Sequence, residues 1–280
     1  MIAFVGAPFS PAYFRARRRS LQADPLEHCA FHVVIHGPGM DAWALSAYRR
    51  ADVKREPDAL VIGRNRIVRG ANDLIIDIDE RTMLGFPVRG RVRLTPAAWQ
   101  PLELALDRKG RHSWWPVVPL GRIDVELDNP ALRFSGAGYH DANRGGEALE
   151  QAFAGWRWTR GADRDGAAIL YDVFERDGTV RKLGLGCDHA GRLSDLVAPA
   201  RVELAPSRWG LRRTTRADDD SAARVRRTLV DAPFYARSWI DLVLGGRQLD
   251  AMHEVVDLGR FARSTTQLML PFRTRGVGWR

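Results

Sequence analysis

The feature that most constrains this fold is a succession of short β-prone segments separated by turn-forming residues. The 280 residues include 26 glycines and 15 prolines, spread along the whole chain. Between them lie runs rich in β-branched and aromatic residues, such as Ala168–Phe174, and Asp177-Gly178 has the sequence of a tight hairpin turn. Frequent interruption leaves little room for long helices, so the sequence predicts an all-β protein with little helix.

Two segments show the two-residue period of half-buried strands most clearly. In Cys29–His36, apolar residues occupy the odd positions, and His32 and His36 lie on the opposite face. Arg122–Leu127 alternates in the same way and leads through Asn129-Pro130 into a further strand. Both segments therefore predict strands with one face turned toward a core.

Three histidines in the first of these segments are spaced four residues apart, at positions 28, 32 and 36. On a helix this spacing is typical of a metal site. The β-branched residues Val33 and Ile35 and the closing Gly37-Pro38 favour a strand instead. We therefore predict no metal ion at these histidines.

The strand pattern occurs twice along the chain. Between the two occurrences lies Glu147–Phe153, the most helix-like segment of the sequence, which Gly155 ends. Two successive sets of β-segments of similar size predict two antiparallel β-domains, each a barrel or a sandwich, over residues 1–150 and 151–280. The pocket motifs described below fall in the first of these predicted domains.

The chain is strongly basic, with 43 Lys and Arg against 34 Asp and Glu and a net charge of +9. This charge favours an anionic partner, either a phospholipid surface or a nucleic acid. Most of the basic residues are arginine, and a GC-rich genome produces the same bias without any selection for binding. Because no nucleic-acid-binding motif accompanies the charge, we predict no nucleic-acid partner.

The cysteines and the N-terminal segment indicate the cellular compartment. Cys29 and Cys187, the two cysteines of the chain, are far apart in sequence, which is typical of a reducing environment. At the N-terminus the basic residues follow the apolar ones, the reverse of the order in a signal peptide. No apolar run approaches the roughly 20 residues of a membrane helix. We expect a cytoplasmic protein that associates peripherally with membranes.

Two pairs of residues bring together the side chains that an acid-catalysed reaction requires. His112 and Trp114 are two positions apart, and so are Tyr139 and Asp141. Residues two apart on a strand point to the same side, so two neighbouring strands would form one pocket wall. A carboxyl group among aromatic rings keeps its proton to high pH, and the rings stabilise a cation. The structural alternative is a Gly136-Xaa-Gly turn beside core aromatics.

The segment that contains Tyr139 and Asp141 also carries a family resemblance. The run Gly138-Tyr-His-Asp-Ala-Asn-Arg-Gly145 resembles the Gly-Tyr-Xaa-Asp-Xaa-Asn signature of the acyclic carotenoid 1,2-hydratases, also called hydroxyneurosporene synthases. The resemblance covers nearly the whole chain. Its other blocks, in order, are Pro8–Tyr13, Glu27–Ala30, Arg111–Trp114, Ala168–Asp172, Ala232–Arg237 and Met269–Arg273.

The resemblance implies a bacterial enzyme of carotenoid biosynthesis with two lipocalin-like β-domains. Such a hydro-lyase adds water to the terminal C=C of acyclic carotenoids of the neurosporene and lycopene type, without a cofactor, and gives 1-hydroxy carotenoids. Its substrates are the carotenoid and water, and a peripheral membrane contact follows from the insolubility of the carotenoid. The alternative is a non-catalytic isoprenoid- or lipid-binding protein with the same fold.

Four residues are the predicted catalytic set: His112, Trp114, Tyr139 and Asp141. Asp141 is expected to protonate the alkene, because water alone is too weak to attack it. Trp114 and Tyr139 are expected to face the resulting tertiary cation. His112 is expected to orient the water or to take its proton, although a structural hydrogen bond explains this histidine equally well.

Overall fold

The fold is described from a computed structural model that covers residues 1–20, 22–37 and 40–276. Most of these residues form strands, as the turn-rich sequence predicts. The strands are β1 Ile2–Phe4, β2 Cys29–Gly37, β3 Met40–Tyr48, β4 Val53–Arg55, β5 Ala59–Ile62, β6 Asn65–Arg69, β7 Leu74–Arg81, β8 Pro87–Pro96, β9 Leu104–Ala105, β10 His112–Asn129, β11 Ala131–Gly145, β12 Phe153–Asp163, β13 Gly166–Glu175, β14 Val180–Asp188, β15 Leu193–Asp195, β16 Arg201–Leu204, β17 Arg213–Arg216, β18 Ala223–Asp231, β19 Tyr235–Leu244, β20 Arg247–Asp257 and β21 Arg275–Gly276.

The helices are short. They are α1 Pro11–Arg19, α2 Leu149–Ala152, α3 Leu258–Phe261 and α4 Ser264–Met269, with 3₁₀ turns at Pro25–His28, Arg50–Asp52 and Leu270–Arg273. The sequence analysis did not predict α1, although Ser10 caps it by accepting a hydrogen bond from the Tyr13 N–H (3.4 Å) and proline occupies its first position. The predicted helix Glu147–Phe153 is reduced to α2, because Phe153 already begins β12.

Two compact units make up the chain, and each is assembled from separate stretches of sequence. The first unit comprises residues 1–96, 122–138 and 267–280, and the second comprises 97–121 and 139–266. The long strands β10 and β11 contribute to both. The predicted domains 1–150 and 151–280 are continuous stretches, and that division stays a prediction. The two-residue period of a strand is the same in both units, so the sequence does not show where a long strand leaves one unit and enters the other.

In the first unit, β1, β2, β3 and β21 form one sheet, and β4 to β8 follow one another as antiparallel neighbours in another. The predicted strand at Cys29–His36 is confirmed as β2. Its apolar face packs into the core of this unit with residues from the second sheet. On its other face, the His32 ring packs against Trp43 and His36 Nδ1 lies 3.0 Å from Asp41 Oδ1.

The second unit contains a seven-stranded antiparallel sheet in the order β15-β14-β13-β12-β20-β19-β18. The predicted turn at Asp177-Gly178 joins β13 to β14, and Gly178 has the positive φ of +89° that this turn requires. One face of the sheet packs into an apolar core that includes Leu170, Ile240 and Ala251. The opposite face carries the residues of the site. These antiparallel sheets confirm the all-β prediction.

Candidate active site

All four predicted site residues lie in the second unit, on neighbouring strands. His112 and Trp114 are on β10, and Tyr139 and Asp141 are on β11. The indole N–H of Trp114 donates a hydrogen bond to Asp141 Oδ2 at 2.9 Å. Trp114 is buried, whereas Tyr139 and Asp141 are half-buried and keep part of their surface accessible. The structure therefore brings Trp114 and Asp141 into direct contact.

The surroundings of Asp141 favour its protonated form. Burial of its carboxyl group raises the pKa of Asp141 above its ordinary value, and the negative charge of Glu254 adds to the rise. The Trp114 N–H, the nearby Tyr139 hydroxyl and the Arg237 cation oppose it, because all three stabilise the ionised carboxylate. The net result is a raised pKa, with the Trp114 N–H in place to stabilise the carboxylate when the proton leaves.

Tyr139 lies between an aromatic ring and a cation. Its ring centroid is 5.4 Å from that of Trp158, and the Arg160 guanidinium carbon is 5.1 Å from the Tyr139 centroid. The Tyr139 hydroxyl is buried and lies close enough to Asp141 for each group to shift the pKa of the other. It is not aligned for a hydrogen bond with any described residue. Burial and the charge of Asp141 raise the pKa of Tyr139 well above its ordinary value, so the phenol stays neutral.

His112 occupies a separate place on the same strand. Its ring packs edge-on against Phe153, with centroids 4.8 Å apart, and lies over Gly145, where an added Cβ would be 2.3 Å from Nδ1. Its backbone N–H donates to Asp107 Oδ1 at 3.1 Å. Burial lowers the pKa of His112, so the imidazole is neutral at neutral pH. Its buried Nε2 has no hydrogen-bond partner among the described residues, and the contacts above do not reach Asp141.

Strands β12, β13 and β20 form the opposite wall. Trp158 on β12 is paired with Tyr171 on β13 and with Glu254 on β20, so these three side chains share one face of the sheet. The Tyr171 ring contacts Trp114 edge-on, with centroids 5.5 Å apart. Through Tyr171 and Trp158, this face contacts Trp114 on β10 and Tyr139 on β11.

Glu254 is a second carboxylate of the site, and the sequence analysis missed it. It accepts hydrogen bonds from Arg237 Nη2 at 2.7 Å, from the Tyr235 hydroxyl at 2.8 Å and from Trp156 Nε1 at 3.0 Å. Burial raises the pKa of Glu254, but the Arg237 cation and the three donors outweigh burial and bring it below its ordinary value. The sequence signal was the same two-residue spacing of polar and aromatic side chains, in Trp156-Xaa-Trp158 and Tyr235-Xaa-Arg237.

The pKa values of the two carboxyl groups are thus shifted in opposite directions, upward for Asp141 and downward for Glu254. Such a separation of pKa values is characteristic of acid–base active sites. The aromatic rings of Tyr139, Trp158 and Tyr171 surround them. This arrangement can deliver a proton from Asp141 and can stabilise a cation formed nearby. Within the described residues, no group of three or more His, Cys, Asp or Glu is placed to hold a metal ion.

Comparison with known proteins identifies the family. The family model described as carotenoid hydratase CrtC matches residues 1–280. The chain belongs to this carotenoid hydratase family. An acyclic carotenoid 1,2-hydratase of Thiocapsa roseopersicina is 42% identical over 280 residues, which cover 99% of this chain and 69% of that relative. Another, from Cereibacter sphaeroides, is 37% identical over 282 residues, which cover 100% of this chain and 99% of the relative. The resemblance predicted from the sequence blocks is confirmed.

The fold of this carotenoid hydratase family member also has a relative among solved structures. An AttH-type protein from Nitrosomonas europaea superimposes with a TM-score of 0.58 at 12% sequence identity, over 82% of this chain and 80% of that chain. This likeness supports the lipocalin-like β-fold. None of the helices in the described ranges has the length and apolar character needed to span a bilayer.

The opposite pKa shifts of Asp141 and Glu254 predict opposite pH dependences of stability. The pKa of Asp141 is raised on folding, so its contribution is complete below its unfolded pKa of about 4 and is lost as pH rises through the folded pKa. We expect Asp141→Asn, which cannot ionise, to gain stability relative to the wild type as pH increases from about 4 to about 7. Urea unfolding at a series of pH values measures this difference.

Glu254→Gln is the matched comparison. The pKa of Glu254 is lowered on folding, so its contribution is present above the unfolded pKa and is lost as pH falls through the folded pKa. This variant should therefore be less stable than the wild type at neutral pH, and the deficit should shrink in acid. A stability difference for Asp141→Asn that does not change with pH would contradict the raised pKa of Asp141.

Proposed function

We propose that this protein is a hydro-lyase that adds water to the terminal 1,2 double bond of an acyclic carotenoid, with Asp141 as the proton donor. The observation that carries the proposal is a carboxyl group with a raised pKa that is hydrogen-bonded to Trp114 and lies among aromatic rings. Family membership and relatives named acyclic carotenoid 1,2-hydratase support the substrate class.

The first step is proton transfer to the alkene. Water is too weak a nucleophile for an unactivated C=C bond, so protonation must come first. The Asp141 proton goes to C2, the less substituted carbon, and the π electrons form the new C–H bond. This leaves a tertiary cation at C1 beside the two methyl groups. The Trp114 N–H stabilises the Asp141 carboxylate that remains.

The cation at C1 must be stabilised by groups that do not form a bond to it, because a nucleophilic side chain would react with the cation before water does. Tyr139 and Trp158 offer neighbouring rings, and each ring face contributes about 1 to 2 kcal/mol toward a cation in a dry site. Trp114 supports the reaction chiefly through its hydrogen bond to Asp141, since its own side chain is buried. Aromatic rings suit this task because they are attractive to positive charge and unreactive toward it.

The last step is capture by water. A lone pair of the water oxygen forms the C–O bond at C1, and a water proton returns to the Asp141 carboxylate, so the acid is regenerated and a tertiary alcohol leaves. In this proposal His112 orients the water through its buried Nε2, which has no hydrogen-bond partner among the described residues. The cycle conserves protons and electrons and calls for no cofactor.

We expect Asp141→Asn to reduce turnover by about 10²- to 10⁴-fold or more while substrate binding is retained, because the amide keeps the size but loses the acid proton. Trp114→Phe should retain more activity than Trp114→Ala, since the ring still fills the wall. The assay follows lycopene or neurosporene in detergent micelles, with product masses one water heavier. Asp177→Asn, in the exposed turn after β13, is the matched control.

Two outcomes would contradict this assignment. Asp141→Asn turning over at the wild-type rate places the acid elsewhere. Stoichiometric binding of the polyene with no product of increased mass, by the wild-type protein, identifies a non-catalytic isoprenoid- or lipid-binding protein instead.

We also propose a peripheral contact with anionic membranes, from which the water-insoluble substrate is taken. The net charge of +9 supports it. Charges near a membrane surface are screened within about 8 Å at physiological ionic strength, so binding to anionic vesicles should weaken as salt is added. Vesicle flotation at increasing salt measures this dependence. Flotation that shows no preference for anionic over neutral lipid at low salt would exclude the electrostatic contact.

A further inference from the structure

Two segments of the first unit expose large apolar side chains next to arginines. In the turn between β7 and β8, Leu84 is 84% exposed and Phe86 is 65% exposed. In α4 and the 3₁₀ turn after it, Leu268 is 72% exposed and Phe272 is 69% exposed. Met83 and Met269 add to these segments. We call the six side chains the apolar patch.

The two segments are joined and carry charge of one sign. Arg275 Nη1 donates a hydrogen bond to the Thr82 carbonyl at 3.4 Å, which links the end of the chain to the β7–β8 turn. Residues 81–89 and 267–276 contain no Asp or Glu, and they contain four arginines, Arg81, Arg89, Arg273 and Arg275. Exposed apolar side chains are costly in water when they are grouped in this way, so the patch is expected to have a partner.

We propose that the apolar patch is the surface through which this protein docks on an anionic membrane. The inference deepens the proposed function and rests on it, because a lipid-soluble substrate requires such a surface. A membrane interface has an apolar acyl region beneath a layer of charged headgroups. The apolar side chains of the patch would enter the acyl region, and the flanking guanidinium groups would contact the anionic headgroups. An acidic protein partner would match the arginines but not the protruding Leu and Phe tips.

The test compares two double variants with a matched control. Leu84→Ser/Phe86→Ser and Leu268→Ser/Phe272→Ser should each weaken binding to phosphatidylglycerol-containing vesicles by about tenfold or more. Val197→Ser/Trp209→Ser removes exposed apolar side chains elsewhere, at positions that are 93% and 48% exposed, and should bind as the wild type does. Turnover of substrate in detergent micelles should stay unchanged in all three variants, whereas turnover from vesicles should fall in the first two.

Several outcomes overturn the docking proposal without touching the catalytic one. These are wild-type vesicle binding by both patch variants, an equal loss in the Val197→Ser/Trp209→Ser control, or a dimer in solution that the patch substitutions dissociate while vesicle binding stays constant. Conversely, patch-dependent vesicle binding by a wild-type protein that hydrates no carotenoid in micelles would support the docking surface and refute the proposed function.

A second inference concerns the charged pair opposite Asp141. The titratable and polar groups around Asp141 each come from a different strand. They are Trp114, Tyr139, Arg160, Tyr171, Arg237 and Glu254. Glu254 and Arg237 are paired positions on β20 and β19, and Glu254 is also paired with Trp158, whose ring contacts Tyr139. The anion is held rigidly by three donors, so it is a fixed charge and not a mobile base.

We infer that Glu254 is a positioning residue for the proposed reaction, a fixed anion that keeps the proton on Asp141 until the alkene arrives. Its distance from bulk solvent makes the charge effective, since screening inside a protein is weaker than in water. Arg237 is needed because an unpaired buried carboxylate would itself take up a proton. Arg237 therefore keeps Glu254 ionised, and it is the Glu254 anion of the pair that raises the pKa of Asp141, against the smaller opposing effect of the Arg237 cation.

The pH dependence of kcat/KM separates this role from a structural one. Glu254→Gln removes the anion and leaves the Arg237 cation, so the alkaline limb of the profile should move to lower pH by about one unit or more. The double variant Glu254→Gln/Arg237→Gln removes both charges and should move the limb back toward the wild-type position. Tyr235→Phe removes a donor without changing charge, and Glu80→Gln changes a buried carboxyl of the first unit; neither should move the limb.

An activity loss of equal size at every pH in Glu254→Gln would overturn the inference and leave only a structural role. The limb is assigned to Asp141 only if Asp141→Asn is inactive. An active Asp141→Asn variant therefore refutes the proposed acid, whereas an inactive one combined with an unmoved limb in Glu254→Gln refutes the role of Glu254 alone.

Discussion

The site depends on the cost of removing a carboxyl group from water. Burial disfavours the ionised form of a carboxyl group, and for Asp141 this effect outweighs its hydrogen-bond donors, so its pKa lies above the ordinary value. Trp114 limits the effect with one hydrogen bond, so the neutral acid still has a stabilised conjugate base. The aromatic rings around it provide the low polarity that creates the acid and the electron-rich faces that accept the cation it generates. One environment thus meets both needs of the proposed reaction.

Glu254 shows that burial alone does not determine the charge state. It is enclosed like Asp141, yet three donors and the Arg237 cation keep it ionised. The difference between the two carboxyls is the number and charge of their hydrogen-bond donors, which differ because β11 and β20 face different neighbours. A protein that must hold an acid and an anion side by side needs such unequal donor sets.

The fold class and the Trp114–Asp141 contact were within reach of the sequence, because a two-residue period fixes which side chains share a strand face. The family was recognisable from ordered blocks of residues. The role of Glu254 could not be predicted from the sequence. Its hydrogen-bond donors Trp156 and Arg237 lie on other strands and reach it only because β20 pairs with β12 and with β19. Helix α1 was missed because a basic, arginine-rich segment has no apolar period to reveal it. The catalytic roles of His112, Trp114, Tyr139 and Asp141 stay predictions.

The residues of the site come from both halves of the chain, so a recombination event near the middle of the gene would divide them. The acid and its Trp donor are carried by β10 and β11, whereas the paired anion and its three donors come from β12, β19 and β20. A segment that begins after residue 150 keeps Glu254 and Arg237 but has no Asp141, and a segment that ends there has the acid without its charged neighbours. Recombination between distant genes at this point would therefore separate the two carboxyl groups, and neither product would contain the complete site.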